Sequence, residues 1–291
     1  VLFSIDGILQ PKLNATAVTQ MFKKTRAKGT VVVLLLAVAC SVAGVSAGGD
    51  RVYKLGVGDT IKLAGDLHDA LPQKFFDQLD TQAITMHDQA WPLIAPVAVT
   101  ADNRIQRQVE LSAGFVDLVN RLCHAKAIDK VEVGYFDAYV TMVGQVCASN
   151  PAAPPPPITE PRYWTRQILN DQLSYFNEMM GMMMAVNMAH HYLGYYTKYA
   201  SKLTGPGDKV VPINDFLTPS EWDASIKAGA LDALNCALST EGLRLIFDAL
   251  DKMPIRPPWA AYIAPPYANF KQLDRELANY EEDFFHGRIK N

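Results

Sequence analysis

The chain has 291 residues, 49% hydrophobic and 20% charged, with a formal net charge of −3. That balance is globular, neither disordered nor fibrous, and the length admits a sizeable core in one large domain or two smaller ones. Helix formers dominate the later two-thirds and β-branched alternation is rare, so the expected fold is mostly all-α.

The first twenty residues read as an extension upstream of the natural start, because Met21 opens a better N-terminus. Lys23, Lys24, Arg26 and Lys28 precede an apolar run, Val31 to Ala39, and small residues follow. That is the n-region, h-region and cleavage pattern of a secretory signal ending at Ala47. The competing outcome is a bacterial lipoprotein signal, Ala37-Val38-Ala39-Cys40, which would attach the protein to the membrane through a lipid on Cys40. Either places the protein in the periplasm or cell envelope of a bacterium. Without residues 1–47, 22 basic and 29 acidic residues remain, a net charge of −7. No basic run survives, so the phosphate-neutralising footprint of a nucleic-acid binder is missing and nucleic acid is excluded as a partner. Cys123, Cys147 and Cys236 show no CxxC spacing and read as three separate thiols, with one disulfide as the alternative.

Val52 to Leu63 carries the one clear β signal, Tyr53 and Leu55 on one side of Gly56-Val57-Gly58-Asp59 and Ile61 and Leu63 on the other, and predicts a small N-terminal hairpin. Tyr53-Lys54-Leu55-Gly56-Val57-Gly58-Asp59 resembles the opening of bacterial polysaccharide-export proteins. The helical remainder departs from that family's pattern, and the stretch is read as hairpin chemistry. A helix is expected from Pro72 to Trp91, with Phe75, Phe76, Leu79, Ala83, Met86 and Ala90 inward and His87 at its edge. Pro92 to Asn103 reads as loop and Arg104 to His124 as a second helix. Glu110, Asp117 and His124 recur along one side of it as a solvated face. Ile128 to Cys147 reads as a third helix, weakened at Gly134.

The proline-dense stretch 150–161 forces an extended connection, read as a strap across a single helical domain, 48–291. Further on, Thr218, Pro219 and Glu221 form a capping box that starts a helix running to about Leu238, with a break at Gly229. Another begins near Ser239 or Thr240 and stops at Pro254. Ile255 to Tyr267 is an aromatic, proline-rich coil, and a last amphipathic helix spans about Asn269 to Phe285.

The stretch Trp164 to Leu203 predicts one long helix at the centre of the bundle. From Met179 to Thr197 it holds no Asp, Glu, Lys or Arg, and its apolar residues lie on every side. A helix apolar all round is a membrane span or a buried centre, and Asn187, His190 and His191 favour the buried centre. At about 100° per residue, Met180, Met184, Asn187, His191 and Tyr195 share a sector, with Lys198 extending it and His190 one step beside it.

Thioether and imidazole are ligands for soft copper, so Met184, Asn187, His190, His191 and Tyr195 are the candidate metal residues. Against this, methionines on core helices usually fill space, and buried histidines usually pair within the fold. A zinc hydrolase is the other chemistry weighed. The H-E-x-x-H spacing is not met, since Tyr195 stands where the second histidine would be. A further ligand would have to come from Glu110, Glu132 or Asp137. There is no GxSxG elbow, phosphate-binding loop or dinucleotide fingerprint. The expectation is an exported helical binding or interaction module. The alternative is a copper or zinc site on the His190/His191 helix.

Overall fold

A computed structural model gives the fold of residue 53 and residues 56–79, 84–101, 104–151 and 153–289. The expected upstream extension, the signal and the lipidation site Cys40 lie outside these residues. All described residues belong to one unit, Gly48–Asn291.

The expected hairpin is replaced, over its described second half, by a helix, α1 (Val57–Ala70). The Asp59 carboxylate accepts from the Gly56 amide at 3.1 Å, and the Thr60 hydroxyl donates to the Gly56 carbonyl at 3.0 Å. The first of these bonds satisfies an amide at the helix start and caps the N-terminus from within. Thr60, Ala64, Leu67, His68 and Leu71 are buried at helical spacing, whereas Ile61, half of the supposed strand alternation, faces solvent. A stripe that long outweighs two alternating residues.

The sheet lies further along the chain. Strands β1 (Ile84–His87), β2 (Ile94–Ala101) and β3 (Arg104–Ser112) form a sheet in the order β1-β3-β2, with β1 parallel and β2 antiparallel to β3. The helix expected over Pro72–Trp91 therefore shrinks to a 3₁₀ turn, Gln73–Gln78, and the expected loop 92–103 is mostly strand. Ile94, Val97, Val99 and Thr100 suit a pleated surface, and Val109 and Leu111 alternate into the core. Ala98 turns its amide away from β3 and donates it to the Tyr196 hydroxyl at 2.9 Å. Pro96, two residues back on the same free edge, has no N–H to leave unpaired.

The second expected helix starts only after β3. Ser112 accepts from the Phe115 amide at 3.0 Å and caps α2 (Ala113–Asp129). Gly134, left-handed at φ 90°, separates it from α3 (Tyr135–Ser149). The strap then runs extended over 153–160, tied to these two helices. Arg121 donates to the Pro155 carbonyl and the Tyr139 hydroxyl to the Pro156 carbonyl.

Thr165 caps the longest helix, α4 (Arg166–Tyr192), through the Ile168 amide. Every residue from Met179 to Tyr192 is buried. The single helix expected to reach Leu203 ends early: Gly194 takes φ 79°, and α5 (Tyr195–Tyr199) starts on a new axis. A left-handed residue cannot continue a right-handed helix, and glycine adopts that conformation at least cost.

Three more helices close the bundle: α6 (Pro219–Asn235), α7 (Glu241–Lys252) and α8 (Phe270–Phe285). The Thr218/Glu221 capping box is formed as expected, the Thr218 amide donating to Glu221 at 2.9 Å. Gly229 does not break α6. α4 packs against α2, α6, α7 and the sheet, so the fold is a mostly-α bundle around a buried central helix with a small β element. No described helix is long and apolar enough to cross a membrane. Cys123, Cys147 and Cys236 are free thiols.

Candidate functional site

The polar residues of α4 divide between opposite neighbours. His190 turns to α6, its Nδ1 lying 3.1 Å from the Ser225 hydroxyl, which itself donates to the Glu221 carbonyl at 3.0 Å. With that hydroxyl proton committed, the imidazole Nδ1–H is the donor. His191 turns to the sheet, where Nε2 donates to the Gln108 carbonyl at 2.8 Å and the ring leans on Tyr196. Consecutive residues on a helix diverge by about 100°, so the two rings do not converge on one point. Burial lowers His190 to about 3, with His191 adding to the effect, and lowers His191 to about 4 against the pull of the Gln108 bond. Both are neutral at pH 7.

Asn187 donates to the Met183 carbonyl one turn back, at 2.8 Å, and Met180 and Met184 are fully buried packing. Tyr195 does not share their sector, because the helix that would carry it there has ended. Lys198 instead pairs with Glu221 at 2.6 Å. Among the described residues, no group of three His, Cys, Asp or Glu side chains is arranged to hold a metal ion. The carboxylates weighed as further zinc ligands are engaged elsewhere: Glu110 with His87 at 3.4 Å, Glu132 with Tyr163 at 2.8 Å and Asp137 with Lys252 at 2.6 Å. Glu110 lies on β3 and His124 is buried in α2, so the expected solvated Glu110/Asp117/His124 face does not form. His124 donates from Nε2 to the Tyr163 carbonyl and accepts at Nδ1 from the Tyr53 hydroxyl. Two buried polar atoms of α4 are left over, Glu178 Oε2 and one ring nitrogen of His191. His191 Nδ1 is buried without a partner.

Two further acids of the interior carry raised carboxyls: buried Asp232, which went unread in the sequence, and partly buried Glu178, which lies off the His191 face of its helix. Asp232, on α6, accepts from the Tyr192 hydroxyl at 2.5 Å, and burial raises its carboxyl to about 7. Glu178, on α4, is also raised to about 7 by burial and by Glu241 and Glu281 nearby. The available signal for Asp232 was a lone acid inside an otherwise apolar run, Ala228 to Ala233.

The surface offers a different kind of site. A cleft of about 800 Å³ opens between α7 and α8, with Lys126 of α2 at its side and Leu245 and Phe270 as apolar lining. Its walls are charged and largely self-paired. Arg244 meets Asp274 at 2.7 Å, Lys252 meets Asp248 at 2.8 Å, and Lys271 approaches Asp251 at 3.9 Å. Lys126, Arg275 and Glu241 line the same cleft without an ionic partner among the described residues. The Lys126 ammonium lies over the Phe136 ring, and Arg275 spends one N–H on the Lys271 carbonyl. None of these residues stood out in the sequence, where each belongs to an ordinary charged helix face. No protein-family model, curated protein or solved structure matches this chain.

Proposed function

We propose that the protein is an exported binding module of the bacterial cell envelope, with its ligand site in the cleft between α2, α7 and α8. The address rests on the basic, apolar and small-residue order of residues 21–47, with a lipid on Cys40 as the alternative mode of attachment. The observation that carries the site is the unbalanced charge of the cleft. Once its internal ion pairs are set aside, the lining keeps two cations, Lys126 and Arg275, and one carboxylate, Glu241. Its volume falls in the range of small-molecule pockets. An organic anion fits that lining, its carboxylate on Lys126 and Arg275 and its apolar body on Leu245 and Phe270.

Calorimetric titration of the mature protein with 1-naphthoate, with 1-naphthamide as the uncharged control, tests this reading. Saturable binding of the acid, at least about tenfold weaker in a Lys126→Glu/Arg275→Glu variant, is expected from the loss of two charge-assisted contacts. Equal binding of acid and amide, or no effect of the variant, would overturn it.

A metal-dependent site, for copper or zinc, is the second reading, and the unpartnered lone pair on His191 Nδ1 favours it. Elemental analysis of untagged protein beside His191→Ala decides it. Near-stoichiometric metal lost in the variant would establish the site, and no metal in either would remove it.

A further inference from the structure

Tyr192 and Asp232 are bonded to each other across α4 and α6, the pair of helices in most extensive contact. The Tyr192 hydroxyl on α4 donates to Asp232 Oδ2 on α6 at 2.5 Å, and Asp232 is 3% exposed. The Tyr192 ring is fixed on its other side by a 4.4 Å stack against Phe75. The surroundings of the carboxyl hold no compensating charge. Tyr280 faces it from α8, and Cys236 faces it from its own helix. Asp66 and Asp69 of α1 lie beyond Cys236, whose thiol donates to the Asp66 carbonyl at 3.3 Å. Among the described residues no Lys or Arg acts on Asp232, and His68, the buried base of α1, is turned to Asp69 and Phe76.

A carboxylate there would be buried, would hold one hydrogen bond and would lie near other acids. A carboxylic acid there is neutral and can still accept from Tyr192. We infer that Tyr192 and Asp232 form a proton-operated latch, which holds the C-terminal half of α6 against α4 while Asp232 keeps its proton and loosens it when the proton leaves. The segment released is the end of α6 and the turn after it, including Cys236 and Ala237, the latter held at φ 59°. The first half of α6 is held independently by the Thr218/Glu221 cap and by Ser225 on His190. The latch therefore acts on one end of the helix.

The thermodynamics fix the direction. An opened segment exposes Asp232 to water, where it titrates near the ordinary carboxylate value, whereas in the closed protein burial holds it at about 7. Opening therefore becomes easier as pH rises from about 4 to about 7 and levels off above that. Removing the Tyr192 hydroxyl, which favours the charged form, moves the upper limit of this window to higher pH.

Amide hydrogen exchange, corrected for the intrinsic rate at each pH, reads the latch directly. Protection of residues 230–237 is expected to fall about twentyfold between roughly pH 5.5 and 7.5, with little change in residues 219–226. In Asp232→Asn, which keeps the shape and the acceptor but cannot titrate, the same segment should change less than about twofold. In Tyr192→Phe the fall should continue to higher pH. A flat wild-type profile, an Asp232→Asn profile that follows wild type, or an equal fall along the whole of α6 would each overturn the latch.

Discussion

Gly229 and Val186 meet backbone to backbone: a methyl group placed on Gly229 would lie 2.6 Å from the Val186 amide nitrogen and 2.7 Å from its Cα. The glycine that reads in the sequence as a weak point of α6 is where its backbone packs directly on that of α4. Gly242 repeats the relationship on α7, where a methyl group would lie 2.2 Å from the Glu178 carbonyl carbon. Backbone cannot step aside as a flexible side chain can. Gly229→Ala and Gly242→Ala are each expected to cost about 2–3 kcal/mol in urea unfolding, despite the better helix propensity of alanine. A neutral or stabilising result at either position would show that the helices separate freely.

The buried acids and bases of the core pull stability in opposite directions as pH falls. His190 and His191 have folded values below their unfolded ones, so they lose stability as pH drops from about 6.5 towards their folded values of about 3 and 4. Asp232 and Glu178 have folded values above their unfolded ones, so the fold gains stability from them as pH drops from about 7 towards 4. Between pH 7 and 5 each histidine costs about 2 kcal/mol, Asp232 returns a similar amount, and Glu178, which is partly exposed, returns somewhat less. Wild-type stability should therefore change little over that interval. The Asp232→Asn/Glu178→Gln variant should lose about 3–4 kcal/mol over it, because only the histidine loss remains. Chemical denaturation at the two pH values checks both expectations, and a variant as flat as wild type would contradict the account.

The start of α6 carries a second, separate pH dependence. Burial pushes the Glu221 carboxyl up, but bonds from Lys198, Thr218 and Tyr199 overrule it and hold the group at about 2. A depressed carboxyl contributes stability above its unfolded value, about 4.5, which is lost as pH falls towards 2. Thr218→Ala should cost about 1 kcal/mol as a lost cap. Glu221→Gln should cost about 2 kcal/mol, as a charge-assisted bond is replaced by a neutral one and Lys198 loses its partner. Thermal unfolding at pH 7 measures both, and a Glu221→Gln cost smaller than that of Thr218→Ala would contradict the ranking.

The last third of the chain was readable because its signals are local: Thr218, Pro219 and Glu221 mark a start, Pro254 an end, and Leu273 and Leu277 a buried stripe. The sheet was not. Phe75, Phe76 and Leu79 lie at helical spacing, yet the first two sit in a short 3₁₀ segment and Leu79 is already extended, and Arg104–Ser112 shows its alternation only when its neighbours are known. Buried strands and buried helices differ little in pattern, and pairing between distant segments decides. The end of α4 was missed because Leu193-Gly194 continues an apolar pattern while its backbone does not. The cleft was invisible for a related reason, since Lys126 and Arg275 line one cleft only through packing of helices far apart in the chain.

The central claim is that the histidines of α4 are neutral, separately paired parts of the core rather than a site, and ¹⁵N NMR of histidine-labelled protein tests it most directly. The account predicts that His190 carries its proton on Nδ1 and His191 on Nε2, as their bonds to Ser225 and Gln108 require, with neither ring titrating between pH 7 and 5. Added copper or zinc should leave both spectra unchanged. A histidine of α4 titrating near pH 6.5, or a His191 Nδ1 resonance displaced by stoichiometric metal, would contradict it and move the function back to the centre of the bundle.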